Sequence, residues 1–578
     1  MIHDSAPREY IKVLRYHEVC PTRVCPTPTK VDEETVYSIE AAVHWTLFLI
    51  DDGRHACASM ARMMLRVGML LAVLVAAGGQ EQPATVAGQL DGREKQLESL
   101  YADYWRTEYK IALGDHALSS RPIQEQIRTV VSDEKFLSDL RNAKFSDSLL
   151  KTRQKLYLNE AVYTKITNDP ALTAVVEQIT QNENGFRFKV GDRQLSRAEV
   201  TDLLEHNPDR QLREEAWRAT SQITGVNGAR IQKAIQLRNQ LAVKNSDEIF
   251  SIFLLHRKGL EVEQVFDWFD QIKEQTEPEY QRLLKRMRNE LGVAKIEPWD
   301  LEFFFSKATN DFEAQKFPTD DGWSKTKELA ANLGYDLNQV EMHVADLGFG
   351  GAAYPILYGK EVKILANRYS GIYFYDRLWH ATGHALHYQM VNEPSFLLRA
   401  NYAEPMDEGM AQVIAQLLYR PEVNAKLFAL TPEQASVVDV AHRLKLLYTV
   451  RNTIADSLSE FESYSDPEKD PASVYNRIHA EYLGVDMHDA PVWAFNPMYG
   501  SDPIYLQSFV VGEMVARQIE HKVDEKFGRN WGKPAGDYLR TNCYSRGAEQ
   551  SIDGFMRGGT GEALTPRYLV QFLESSKN

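Results

Sequence analysis

The sequence predicts an all-α fold with minimal β-structure, and three observations support this prediction. Apolar residues recur every three or four positions over long segments, most clearly in 260–291 and 437–461, as on the buried face of a helix. Strand-like alternation is scarce, and the best candidates are the short segments 185–190 and 362–365. No linker rich in Gly, Ser or Pro and no internal repeat divides residues 90–575.

The amino-terminal part has a different character. Residues 60–66 form a short basic segment with two arginines. Residues 67–77 are apolar and have about the length of the hydrophobic region of a secretory signal peptide. We therefore expect 60–79 to be a signal peptide and 1–59 to be a non-native upstream extension. The apolar segment is too short to span a bilayer core of about 30 Å. We expect export to a periplasm or the extracellular space, and a helical domain at 85–578 without a stable membrane span.

Composition restricts the partners. The chain has 578 residues, of which 43% are hydrophobic and 25% are charged, and its net charge is −15. An acidic protein does not attract phosphate groups, so we exclude nucleic acid as a partner. Three of the four cysteines precede the expected signal peptide, which leaves Cys543 without an internal disulfide partner.

The most informative segment runs from His380 to His384, with the sequence His-Ala-Thr-Gly-His. Two histidines four residues apart lie on one face of a helix and can bind one metal ion. Apolar spacing predicts a helix over 376–392 and a second helix over 406–418. If the two helices are antiparallel, Glu408, 24 residues after His384, returns to the histidines as a third ligand. Three protein ligands leave a fourth position open, as in catalytic zinc centres.

These residues resemble the angiotensin-converting-enzyme family of zinc dipeptidyl carboxypeptidases, a gluzincin family of the peptidyl-dipeptidase A type. They resemble the thimet oligopeptidase and oligoendopeptidase group more distantly. The resemblance covers roughly residues 90–575 and implies two helical halves around a deep central cleft, a zinc cofactor and oligopeptide substrates. Besides the metal segment, it rests on the shorter segments 206–217, 358–364, 400–401, 505–509 and 556–559.

The resemblance also implies roles for individual residues. His380, His384 and Glu408 would be the zinc ligands, and Tyr505 would be the phenol that hydrogen-bonds the oxyanion of the reaction. The glutamate that acts as general base in the family falls on Ala381. A methyl group cannot take a proton from the attacking water.

Further positions depart from the family in the same direction. The carboxylate that should orient a metal-bound histidine falls on Gln412, a loss that typically costs about ten- to a hundredfold in metal affinity or activity. The lysine and the histidine that hold the substrate carboxylate and stabilise the transition state fall on Ala494 and Asn496. A further substrate-binding histidine falls on Gly350, and a chloride-binding arginine falls on Ile504.

We therefore expect an exported homologue of zinc dipeptidyl carboxypeptidases that binds peptides with little or no turnover. A general base contributes about a hundred- to ten-thousandfold to such a reaction, and one oxyanion donor about a hundred- to a thousandfold. Whether the protein is an enzyme stays open at this point. One alternative is a working peptidase in which Glu404 or Asp407 replaces the base. The other is a metal-free structural or partner-binding protein in which His380 and His384 only pack.

Amino-terminal sequencing of the exported protein should find a mature chain that begins close to residue 80, because small residues at 76–79 end the apolar segment. Leu71→Arg, which interrupts that segment, should block export. A mature terminus before Met60 would contradict the prediction.

Overall fold

A computed structural model describes most of the chain after residue 82, namely residues 83–115, 117–307, 312–345, 347 and 350–574. The expected extension at 1–59 and the expected signal peptide at 60–79 lie outside the described residues. Within these limits, none of the helices combines the length and the apolar character that crossing a membrane requires.

Helices dominate the described residues, which confirms the predicted helical fold with little sheet. The first group comprises α1 (Pro83–Ala112), α2 (Arg121–Val131), α3 (Glu134–Asn142), α4 (Ser148–Thr167), α5 (Pro170–Gly185), α6 (Arg197–His206), α7 (Arg210–Ala219), α8 (Gln222–Ser246), α9 (Phe250–Arg257), α10 (Val262–Leu291), α11 (Pro298–Ser306), α12 (Glu313–Lys316) and α13 (Gly322–Asn332).

A second group of helices follows the main sheet. It comprises α14 (Gly371–Met390), α15 (Phe396–Ala400), α16 (Glu404–Ala415), α17 (Pro421–Leu427), α18 (Pro432–Ser465), α19 (Pro471–Leu483), α20 (Met498–Ser501), α21 (Leu506–Phe527), α22 (Lys533–Leu539), α23 (Ile552–Thr560) and α24 (Arg567–Glu574). Short 3-10 turns lie at Thr319–Asp321, Gln416–Tyr419 and Trp493–Phe495, and a π-helical turn lies at Arg540–Tyr544.

The two longest predicted helices are present. Segment 260–291 forms α10, which ends where Gly292 adopts a left-handed φ of 66°, the usual conformation just after a helix. Segment 437–461 lies within α18. The first turn of α18 is closed by reciprocal hydrogen bonds between Thr431 and Gln434, which satisfy two otherwise unpaired backbone N–H groups.

The two helices predicted around the metal motif are present as well. Segment 376–392 corresponds to α14, and segment 406–418 corresponds to α16 with the 3-10 turn that follows it. The start of α14 is capped from another part of the chain, because Glu313 Oε1 accepts a hydrogen bond of 2.8 Å from the Ile372 N–H. A carboxylate at this end also interacts favourably with the helix dipole.

The β-structure consists of a hairpin and one small mixed sheet. The hairpin joins β1 (Phe188–Val190) and β2 (Arg193–Leu195); the sheet contains β3 (Val340–Ala345), β4 (Gly351–Leu357) and β5 (Glu361–Asn367). Its order is β3-β5-β4, with β5 parallel to β3 and antiparallel to β4. The predicted strand at 362–365 lies within β5, whereas of the predicted strand at 185–190 only 188–190 forms β1, because Gly185 still belongs to α5. The sequence did not indicate β4, because this strand contains Pro355 and proline is rare in strands except at the edge of a sheet. In the structure, β4 is an edge strand.

The described residues form one extensive hydrophobic core and two smaller ones, the smallest of them between α1 and the sheet. The large core joins helices from α4 to α24 and includes the apolar face of α14. The second core is formed by α1 to α4 together with Phe396 and Leu397 of α15. Strand β5 and α14 pack against each other, and only a short turn separates them along the chain, so the sheet positions the metal helix.

Helix α16 lies in close contact with both α14 and α21, and glycines make this contact possible. A Cβ atom on Gly383 of α14 would lie 2.5 Å from Ala411 Cα of α16. A Cβ atom on Gly512 of α21 would lie 2.7 Å from Glu408 Cβ, and one on Gly409 would overlap the Val515 side chain. The three helices therefore approach one another to backbone distance, which a larger residue at these positions would prevent.

Gly383→Ala and Gly512→Ala should each lower the free energy of unfolding by about 1–3 kcal/mol, the usual cost of overpacking a well-packed interior. Denaturant titration measures this change. Gly92→Ala is the matched control, because Gly92 is exposed within α1 and a Cβ atom there meets nothing within 4 Å. It should raise stability by about 0.4–1 kcal/mol. Equal behaviour of the three variants would contradict the close helix crossing.

Candidate metal centre

Helix α14 presents His380 and His384 on the face that meets α16, which carries Glu408. His384 Nε2 lies 3.1 Å from His380 Nε2. Glu408 Oε2 lies 3.5 Å from His380 Nε2, and Glu408 Oε1 lies 3.8 Å from His384 Nε2. The structure thus brings together the three residues predicted as metal ligands.

The geometry and chemistry of this cluster fit a zinc ion. Tetrahedral ligands at about 2.0–2.1 Å from zinc lie about 3.3 Å from one another, close to the separations observed. Glu408 Oε2 is buried and accepts no hydrogen bond from a described residue, so a carboxylate oxygen is left for a cation. The side chains of His380 and His384 stay 13% and 12% exposed, so a further ligand can approach from solvent.

Asp407, which the sequence suggests only as a substitute base, lies against the candidate ligand His384. Its Oδ2 lies 2.8 Å from His384 Nδ1, and its Oδ1 lies 2.8 Å from His387 Nδ1. The Tyr388 hydroxyl donates a hydrogen bond of 2.9 Å to Oδ2. A buried carboxylate therefore orients the ring of His384 from the edge opposite Nε2, the arrangement that tunes metal-bound histidines. The expected loss of an orienting carboxylate at Gln412 is thus offset at His384.

His380 has a weaker outer partner. Burial, reinforced by His384 and Arg377, holds the pKa of His380 well below its usual range, and the side chain of Gln412 acts in the opposite direction. Among the described residues, the one carboxylate found within 4 Å of a ring nitrogen of His380 is the candidate ligand Glu408. The orienting carboxylate is therefore absent at His380 and present at His384.

The electrostatic environment distinguishes the two histidines. Burial lowers the pKa of His384, but the neighbouring Asp407 outweighs burial and raises it to about 9. Burial also raises the pKa of Glu408, which His384 opposes. Asp407 thus increases the basicity of His384, and a more basic imidazole binds a metal more strongly.

Within the part of the chain that the structure describes, no carboxylate is found where the family places its general base. Ala381 is 1% exposed and carries only a methyl group. Asp407 contacts His384 on the Nδ1 edge, away from the metal ligands. Glu404, one turn before Glu408 on α16, is one-third exposed but pairs with Lys258, whose Nζ lies 2.7 Å from its Oε2.

The structure places Tyr505 beside the candidate ligand Glu408. Its hydroxyl donates a hydrogen bond of 2.5 Å to Glu408 Oε1. The buried ammonium of Lys258 lies 5.5 Å from the centre of the Tyr505 ring and also contacts Ser508 Oγ at 3.3 Å. The sequence around Lys258 does not indicate this contact with Tyr505, because 247 positions separate the two residues.

The residue before Tyr505 is held in an unusual conformation. Ile504 has a φ of 56°, which is rare for a β-branched residue. Its N–H donates to Glu460 Oε1 at 2.9 Å, and its carbonyl accepts from Gln507 Nε2 at 2.6 Å and from Lys258 Nζ. Lys258 therefore provides a cation beside Tyr505, where the resemblance implies an arginine at position 504.

The remaining predicted positions are not all brought to the metal centre. Ala494 is fully buried, and Asn496 accepts a hydrogen bond of 3.1 Å from the Met498 N–H within its own turn. No contact found among the described residues joins either one to the metal ligands. Gly350 lies against the metal helix, because a Cβ atom there would be 2.9 Å from Arg377 Cδ.

Comparison with known proteins supports the fold. Residues 203–320 match the profile of peptidase family M3. Oligopeptidase A from Haemophilus influenzae is 25% identical over 204 residues, which cover 31% of this chain and 29% of that protein. The match therefore spans less than a third of the curated relative.

Two solved structures are similar over most of the described chain. The M32 carboxypeptidase from Deinococcus radiodurans R1 has a TM-score of 0.61 and 14% identity, covering 85% of this chain and 98% of that chain. Trypanosoma cruzi metallocarboxypeptidase 1 has a TM-score of 0.57 and 14% identity, covering 84% and 99%. These likenesses show a fold shared with helical metallopeptidases, and they do not single out the dipeptidyl carboxypeptidase type.

Asp407→Asn should weaken zinc binding by about ten- to a hundredfold, the usual effect of losing an outer partner of a metal-bound histidine. Gln412→Asp should strengthen zinc binding, because it places a carboxylate on the His380 side. Competition titration with a chelator measures both affinities. If Asp407→Asn bound zinc as tightly as the parent protein, Asp407 would not orient His384.

Proposed function

We propose that this protein is a zinc-binding relative of helical metallopeptidases that binds oligopeptides and hydrolyses them very slowly. One observation carries the proposal: His380, His384 and Glu408 keep the geometry of a three-ligand zinc site, while a buried alanine occupies position 381. The three candidate metal ligands are therefore retained, and the residue that would activate water is replaced by alanine.

The described residues divide the work of such a site. His380, His384 and Glu408 would hold the metal, with His384 oriented by Asp407. A bound zinc ion would supply a Lewis acid that polarises a water molecule and a peptide carbonyl. The Tyr505 hydroxyl donates its hydrogen bond to Glu408 Oε1, and it would turn from that oxygen to donate to a substrate oxygen beside the metal.

The missing step is proton removal from the attacking water. A general base contributes about a hundred- to ten-thousandfold, and an alanine at 381 contributes nothing to it. The proposed rate is therefore low by at least that factor relative to a complete site.

The finer parts of the proposal follow from the sequence resemblance. We propose removal of carboxyl-terminal dipeptides as the reaction type, because the metal segment and the segment around Tyr505 match that family in spacing. We also propose that the protein acts outside the cytoplasm, on the basis of the signal-like segment at 60–79.

A second candidate function is an active peptidase in which Glu404 serves as base. Glu404 favours it because it lies one turn from Glu408 on α16 and is partly exposed. The ion pair between Glu404 and Lys258 argues against this function, since it holds the Glu404 carboxylate away from a substrate. If Glu404 is the base, Glu404→Gln should abolish hydrolysis. If the protein has no base, the same change should leave a weak background rate unchanged.

Metal analysis and peptide binding together test the proposal. The purified mature chain should contain about one zinc ion, and His384→Ala should remove it. Calorimetry of the zinc-loaded protein should detect binding of short peptides. An empty site after incubation with zinc would favour a structural or partner-binding protein without a metal.

Ala381→Glu should increase peptide hydrolysis by about a hundredfold, within the range that a general base supplies. Ala381→Gln is the matched control, because a glutamine side chain has nearly the same volume as glutamate and cannot take a proton at neutral pH. The measurement is the steady-state rate of dipeptide release. A parent protein that turns over peptides several times per second, as ordinary enzymes do, would show that another residue acts as the base.

A further inference from the structure

Helix α14 has one open stripe, and the metal ligands occupy only half of it. Between residues 373 and 388, four side chains are not buried: Tyr373, Arg377, His380 and His384. Their spacing of four, three and four residues places them along one helix face. The first two members of the stripe have no part in metal binding, so they are available for another role.

The stripe has the dimensions of a short peptide. With a rise of about 1.5 Å per residue, Arg377 lies about 4.5 Å and Tyr373 about 10 Å along the axis from His380. An extended peptide advances about 3.3 Å per residue. A peptide whose reacting bond lies at the metal centre would therefore reach Arg377 within about two residues and Tyr373 within about three.

Arg377 is held in place from the protein side. Its Nε donates a hydrogen bond of 2.8 Å to Asp376 Oδ2, and its Nη2 donates to the same oxygen. Asp376 is buried and is itself fixed by the Tyr419 hydroxyl, which donates to Oδ1 at 2.8 Å. Two guanidinium positions are thus used internally, and no described residue accepts a hydrogen bond from Nη1. The side chain is one-third exposed.

The space for Arg377 depends on Gly350. A Cβ atom on Gly350 would lie 2.9 Å from Arg377 Cδ and 3.5 Å from its Cγ. Any other residue at position 350 would displace the stem of the arginine. The glycine and the buried Asp376 together give the guanidinium one favoured position next to the metal ligands.

The surroundings add a second cation and an aromatic surface. Tyr373 is 44% exposed, with Arg377 Cζ 5.5 Å and Lys445 Nζ 5.8 Å from the centre of its ring. Asp376, which pairs with Arg377, is one of the carboxylates that act on Tyr373. Another is Glu205, which is close enough to Lys445 to interact with it electrostatically. Two cations and one aromatic ring thus lie together at this end of the stripe.

Other cations near the metal centre are less suited to meet a ligand. The Lys258 ammonium is buried and already neutralised by Glu404. Position 494 carries an alanine, which offers no charge. Among the described residues, Arg377 is the cation that combines exposure with a place on the same helix face as the ligands.

We propose that Arg377 is the anchor for a carboxylate of a peptide bound at the metal centre, with Tyr373 as the surface on which the peptide rests. A guanidinium binds a carboxylate through parallel hydrogen bonds, which suits an acidic group at a fixed distance from the metal. The carboxylate is either the carboxyl terminus of the peptide or an Asp or Glu side chain. This inference rests on the proposed function, because it requires a peptide in the site.

Calorimetry of the zinc-loaded mature protein with three matched peptides tests the anchor. The first has a free carboxyl terminus, the second is amidated, and the third is amidated and carries one internal Glu. A charge-assisted hydrogen bond contributes about 1.5–3 kcal/mol, so the preferred carboxylate should bind about ten- to a hundredfold more tightly than the neutral amide. Whichever acidic peptide shows this preference identifies the source of the carboxylate.

Arg377→Gln should remove the preference, while zinc content and binding of the amidated peptide stay unchanged. Arg377→Lys should keep part of it, because a lysine retains the charge without the planar fork. Gly350→Ala, which leaves the arginine but crowds its stem, should reduce the preference at unchanged zinc content. The matched control is Arg286→Gln, since Arg286 is an exposed arginine on α10 that pairs with Glu290. It should have no effect.

The outcomes separate the two proposals. Equal affinity of all three peptides for the parent protein would overturn the anchor and leave the proposed function intact. A preference that survives in Arg377→Gln would overturn it as well. Absence of binding by every peptide would overturn the proposed function and the anchor together.

Discussion

The backbone contact among α14, α16 and α21 is the constraint on which the metal centre depends. Gly383, Gly409 and Gly512 allow these helices to approach without an intervening side chain. Each helix then contributes one part of the site, with two histidines on α14, Glu408 on α16, and Tyr505 immediately before α21. Because the helices touch through their backbones, the ligand positions follow from helix packing and need no flexible loop to bring them together.

Some of this arrangement was predictable from the sequence, and the limit has a physical basis. The helices around His380 and Glu408 follow from apolar spacing, a local pattern, and the ligand set follows from separations along the chain. The contacts of Asp407 and Lys258 do not, because they depend on how distant helices pack. Strands β3 and β4 escaped detection for a related reason: short strands in a mostly helical protein are stabilised by the neighbours they pair with, more than by their own composition.

In the proposed function, the site separates peptide binding from hydrolysis. Three groups around the metal ligands have partners of their own: Asp407 contacts three side chains, Glu404 pairs with Lys258, and Tyr505 bonds Glu408. Such a network keeps ligands oriented whether or not a reaction takes place, since buried polar groups are costly to leave unpaired. Ala381, by contrast, is buried in the large hydrophobic core and offers no polar group to this network.

Ile504 gives the site a mechanical property. A β-branched residue in the left-handed region costs on the order of 1–3 kcal/mol and persists only where its surroundings impose it. Here the surroundings are Lys258, Gln507 and Glu460, and they act on the peptide unit next to Tyr505. The three hydrogen bonds therefore hold the backbone before Tyr505 in a conformation that is unfavourable by itself. The position of the phenol beside Glu408 thus depends on Lys258 and Glu460, which belong to other parts of the chain, and not only on the helix that follows it.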